Sequence, residues 1–171
     1  VKNVSTYIHN FLMYKELLKE LVQRDVKIKY RRSALGMLWS VLNPLGMMVI
    51  MTIVFSNVFR ANIENFPVYL MCGQVLFNFF NEASTVAMGA VLGNASLIKK
   101  VYVPKYFFPM SKVCSCFVNL LTSFIALIIV IVATGTPIKW TVILFVMPVF
   151  YVFVFSLGMG LLLSALVVTF R

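Results

Sequence analysis

Four long apolar runs, 34–59, 66–93, 107–133 and 140–170, are separated by short polar breaks. They are preceded by a stretch in which apolar and polar positions recur at helical steps. There Tyr7, Phe11, Tyr14, Leu17, Leu18, Leu21 and Val22 return every three or four residues, with Glu16, Lys19, Glu20 and Gln23 opposite. The spacing predicts an amphipathic helix from Tyr7 to Arg24, too polar to span a bilayer. Its apolar face suits the membrane surface or a soluble partner. The pattern degrades at Asp25, and Val26 to Arg31 alternates as a strand would. An isolated strand beside a membrane would leave its backbone unpaired, so a basic turn or helix is expected there instead.

Each apolar run exceeds the ~20 residues that cross a ~30 Å hydrocarbon core, so all four are expected to span. Pro44 and Pro148 mark the expected kinks. The predicted fold is an all-α membrane protein. It has an N-terminal cytoplasmic interface segment (1–33) and a transmembrane domain (34–171). The polar stretch ahead of the first run, and the absence of a small-residue cleavage pattern after it, indicate an anchor rather than a removed signal.

Lys2, Lys15, Lys19, Arg24, Lys27, Lys29, Arg31 and Arg32 precede the first run, and Lys99, Lys100, Lys105 and Lys112 lie around the break between the second and third. Arg171 follows the fourth, whereas the other side carries only Arg60 and Lys139. The positive-inside rule therefore places the N-terminus, the stretch 97–105 and the C-terminus in the cytoplasm.

Composition agrees with the pattern: 61% of the residues are hydrophobic, 12% are charged, and mean hydropathy is +0.96. These values exclude an ordinary soluble domain. The net charge of +10 gathers at the ends of apolar runs, which argues for topology and against nucleic acid. Cys72, Cys114 and Cys116 fall in apolar segments without metal-ligand spacing and read as packing residues. No catalytic set or metal site is expected. The single histidine, His9, lies in the amphipathic stretch, and there is no phosphate-binding loop. If ATP is used, another polypeptide binds it.

The polar residues inside the runs form stripes: Gln74, Asn78, Asn81, Glu82 and Thr85, continued by Gly89; then Ser111, Ser115, Asn119 and Thr122; then Ser156, Gly160 and Ser164. Such faces avoid lipid and line either a helix contact or a hydrated path, and Gly89-x-x-x-Gly93 favours contact. Glu82 is the one ionisable residue well inside a run. A carboxylate at depth costs about 2.5–3.5 kcal/mol unless protonated, paired or wet. Alone it suits an ion-coupled carrier or channel. Tyr69 and Trp140 fit an interfacial aromatic belt.

In the break after the second run, Asn94 can cap a two-turn helix that Pro104 stops. Leu97, Ile98, Val101 and Tyr102 share its apolar face, with Lys99 and Lys100 opposite. Three stretches then carry a resemblance: Glu20 to Leu45 with Arg24-Asp25, Tyr30, Gly36, Trp39 and Asn43-Pro44; Asn94-Ala-Ser-Leu-Ile-Lys-Lys-Val-Tyr-Val-Pro104-Lys; and Phe108-Pro-Met-Ser111. In this order they resemble the permease subunits of ABC-2 type polysaccharide exporters, a family that moves O-antigens, capsule-related glycans and teichoic acids.

The resemblance implies a permease of the bacterial cytoplasmic membrane, acting as a homodimer on polysaccharide or lipid-linked glycan and moved by a separate ATPase pair that binds ATP and Mg. It makes 94–104 a helix that couples to the ATPase through Leu97, Ile98, Lys99, Lys100, Val101, Tyr102 and Pro104, with Leu97, Ile98, Val101 and Tyr102 as the docking surface. It places Tyr30, Arg31, Arg32, Trp39 and Asn43 at the cytoplasmic entrance of the pore. Gln74, Asn78, Asn81, Glu82, Ser115, Asn119 and Thr122 are then candidates for the path or its packing. The family pattern has six spans, and four are read here, so the sequence is expected to be a fragment or a truncated product.

Overall fold

The computed structural model describes residues 14–31, 36–58, 65–99, 103–135 and 140–170. They form α1 (Lys15–Arg31), α2 (Gly36–Val58), α3 (Phe66–Met88), α4 (Ala90–Gly93), α5 (Ala95–Ile98), α6 (Phe107–Thr134), a 3-10 segment (Trp140–Phe145) and α7 (Val146–Thr169). No strand occurs among the described residues. Helices over Leu38–Phe55, Phe107–Thr134 and Val142–Thr169 are long and apolar enough to cross a membrane. α3, with 23 residues, is about 34 Å long and also has the reach, but its polar stripe lowers its hydropathy. It compensates by position, because α2, α6 and α7 all pack against it.

The α3–α6 seam is the core of the bundle. Met71, Val75, Phe79, Ala83 and Ala87 repeat every four residues along α3 and are buried against Val113, Cys116, Leu120, Leu127 and Val130 of α6. Phe79, Phe117 and Phe153 tie α7 to the same seam through ring contacts of 4.8–6.5 Å. Beside them Gly160 is the point of closest approach: a Cβ there would lie 2.9 Å from Ala87 Cβ and 3.2 Å from Val113 Cγ2. Ser156, Gly160 and Ser164 are all buried, so the stripe on α7 is a packing face. Large apolar side chains on the outer faces, such as Ile50, Ile53, Ile128 and Leu162, are exposed, as lipid-facing positions must be.

Several expectations change. The basic stretch after Arg24 takes the helical one of its two expected forms and is continuous with the amphipathic helix, α1 running unbroken through Asp25 to Arg31 with Asp25 beside basic partners. Its apolar face rests on the chain itself: Tyr14, Leu17, Leu18 and Leu21 pack against Ala90, Leu97, Ile98, Val103, Phe107 and Phe108. The second run does not continue as one helix to Gly93; it breaks at Gly89, and α4 follows as a separate turn. A Cβ at Gly89 or Gly93 would meet nothing within 4 Å, so these glycines are not the close contact that their spacing suggests. Pro148 sits in the first turn of α7, where proline is tolerated, and the preceding segment is 3-10. α6 ends on Gly135, whose φ of +63 closes the helix in the left-handed conformation.

Candidate functional site: a polar seam between the amphipathic helix and the bundle

Two cavities adjoin where α1 crosses the bundle. The larger, about 600 Å³, is a groove between α1 and the α3–α6 seam. Its lining comes from Arg24, Asp25, Ile28 and Lys29, from Glu82, Val86, Gly89 and Asn94, and from Lys112, Ser115, Cys116 and Asn119. The smaller, about 220 Å³, reaches into the bundle between α2, α3 and α6. It is lined by Lys29, Tyr30, Trp39, Ser40, Asn43, Pro44, Val75, Asn78, Glu82, Asn119 and Ser123.

Helix geometry explains why polar groups meet here. Glu82 precedes the buried Ala83 by one residue and follows the buried Phe79 by three, which puts it about 60–100° from the middle of the apolar stripe. It therefore stands at the rim of the seam, within reach of α1 and α6. Lys29 of α1 forms an ion pair with its carboxylate. Asn119 of α6 donates through Nδ2 to Oε1 at 3.0 Å and Oε2 at 3.3 Å. Asn119 Oδ1 in turn accepts a hydrogen bond from the Tyr30 hydroxyl. Glu82 is thus paired, and both ends of the Asn119 amide are used.

A second cluster fastens α1 one turn and a half earlier. Arg24 donates to Asp25 Oδ1 and, through Nη2, to Asn94 Oδ1, both at 3.0 Å. Asn94 Nδ2 donates to the Ala90 carbonyl at 2.8 Å. Lys112 Nζ approaches Asp25 Oδ2 to 2.9 Å, an ion-pair contact whose angle falls outside that of a hydrogen bond. Asp25 is nearly covered, with 9% of its side chain exposed, so its two cations replace lost hydration.

The sequence-based site residues divide accordingly. Tyr30, Trp39, Asn43, Asn78, Glu82 and Asn119 come together around the inner cavity, while Ser115 lines the outer groove. Thr122 turns back to the Asn119 carbonyl at 2.7 Å and also meets Ser40. Asn81 is exposed, and its carbonyl receives the Thr85 hydroxyl. Gln74 is partly buried. Arg31 is exposed on α1 and lines neither cavity. Arg32, Lys100, Val101 and Tyr102 lie outside the described residues.

The break at 94–104 also differs from its expected form. Asn94 makes no side-chain cap; its amide is engaged by Arg24 and Ala90, and the described helix is the single turn Ala95–Ile98. Lys99 is exposed, Pro104 is half-buried, and Leu97 and Ile98 are partly covered by α1. Sequence reasoning assigned Arg24, Lys29 and Lys112 a topological role only and missed Asp25 as a partner of Arg24 and Lys112. The signal available was the need of Glu82 for a cation, which does not say which cation.

The family profile for the ABC-2 type transporter matches residues 16–171. The O-antigen export system permease protein RfbA of Myxococcus xanthus is 33% identical over 164 residues, covering 96% of this chain and 63% of that protein. A protein of the same name from Klebsiella pneumoniae is 30% identical over 158 residues, covering 91% of this chain and 61% of that protein. The polysialic acid transport protein KpsM of Escherichia coli is 27% identical over 89 residues, covering 51% of this chain and 34% of that protein. The chain thus spans about three fifths of the length of the RfbA proteins that it matches.

Proposed function

This chain belongs to the ABC-2 type transporter family, and on that premise we propose that it is part of the permease subunit of an ATP-driven exporter that passes polysaccharide or lipid-linked glycan across the bacterial cytoplasmic membrane. O-antigen, capsule and teichoic acid polymers are the cargo class. The observation that carries the reading is the family match over residues 16–171.

In this reading the subunit binds no nucleotide. A separate ATPase subunit holds ATP and Mg, two permease copies form the path, and the N-terminus and the 94–104 segment lie on the cytoplasmic side, with α1 near the lipid headgroups. ATP-driven closure of the partner pushes on 94–104. Leu97 and Ile98 touch the apolar face of α1, so that push reaches α1 and with it the polar seam. Ion-coupled transport through Glu82 is less well supported, since its carboxylate is already held by Lys29 and Asn119.

The test is copurification of the full-length permease with an ATPase subunit, followed by export assayed with and without ATP. Loss of both partner binding and export in Leu97→Asp and Val101→Asp variants is expected. Export that persists without ATP and collapses with the ion gradient would refute the proposal.

A further inference from the structure

The groove and the inner cavity share three lining residues, Lys29, Glu82 and Asn119. These are also the residues that bond one another, Lys29 to Glu82 and Asn119 to both oxygens of the same carboxylate. These three bonded side chains therefore stand where the two spaces meet. Tyr30 braces them from the inner side through Asn119 Oδ1.

We infer that the Lys29–Glu82 pair is a gate between the two cavities. Joined, it keeps the outer groove of about 600 Å³ apart from the inner space of about 220 Å³. Parted, it leaves one continuous polar passage from beneath α1 into the bundle. The two halves ride on different helices, Lys29 on α1 and Glu82 on α3, so displacement of α1 is the motion that opens it. Neither side chain is sealed in the core, at 46% and 38% exposure, and both border the two polar cavities, so parting them does not strand a buried charge. A fully buried pair would instead be locked by the desolvation of its separated charges. The inference concerns the cavities within one copy, distinct from a path formed between two copies, and does not depend on the cargo.

Cysteine accessibility in the full-length protein tests it, in inside-out vesicles and with Cys72, Cys114 and Cys116 replaced by alanine. Ser123→Cys reports on the inner cavity, and Ser115→Cys on the groove. The probe is a membrane-impermeant cationic methanethiosulfonate. Glu82→Gln and Lys29→Met are each expected to speed modification at position 123 by about fivefold, the factor that a half-exposed ion pair can supply. Modification at position 115 should stay unchanged. The reciprocal pair Lys29→Glu with Glu82→Lys should return the rate at 123 towards that of the parent. An unchanged rate at 123 in both single variants overturns the gate. So does an equal rise at 115 and 123, which marks general loosening, or a swap that stays as fast as the single variants.

Discussion

Replacing Gly160 by alanine adds one methyl group where α7 meets the α3–α6 seam. That carbon would sit 2.9 Å from Ala87 Cβ and 3.2 Å from Val113 Cγ2. Neither neighbour can swing away freely. Ala87 Cβ is fixed to its backbone, and Val113 is fully buried in a helix that favours one valine rotamer. Relief must come from moving α7 outward, and overpacking of this kind costs about 1–3 kcal/mol. The same substitution also gains about 1 kcal/mol of helix preference, which would blur a single measurement. Gly158 supplies the control, because it lies in the same helix with nothing within 4 Å of where its Cβ would be. Gly158→Ala and Gly160→Ala share the preference term, so their difference isolates the steric one. Equilibrium unfolding of the chain in detergent–SDS mixed micelles should place Gly160→Ala about 1–3 kcal/mol below Gly158→Ala. If the two variants unfold together, α7 does not approach α3 at Gly160 and the close crossing is wrong.

Asp25→Asn should destabilise the docking of α1 by about 1–3 kcal/mol, because it leaves Arg24 and Lys112 without their shared carboxylate. A double-mutant cycle with Lys112→Met should show a coupling of the same order in limited proteolysis at α1, and additivity would refute the pairing. Leu21→Ala removes a side chain only 4% exposed and should cost about 2–5 kcal/mol, seen as faster cleavage within α1 while the core spans stay protected. Asn119→Leu strips the amide from both Glu82 and Tyr30 and should lower stability in the mixed-micelle titration by about 1–3 kcal/mol. A variant as stable as the parent would mean that the amide does not bridge α1 and α3.

The membrane class, the helical elements and the sets of residues that share a face follow from residue order alone. Runs of apolar residues require internally satisfied backbone, and helical periodicity assigns each polar residue to a stripe. The stripes on α3, α6 and α7 were legible for that reason. What periodicity cannot supply is the rotation of one helix against another. Only the packing showed that Ser156, Gly160 and Ser164 are buried, that Gly89 and Gly93 are open, and that Asn78 faces a cavity. Charge followed the same division. The count of basic residues on each flank set an expected topology, but the ion pair between Lys29 and Glu82 joins residues 53 apart in sequence. It forms because α1 continues past Asp25 and crosses the rim of the α3–α6 seam. Lys112 of α6 approaches Asp25 on that same helix, a contact between helices distant along the chain and therefore invisible to any local pattern.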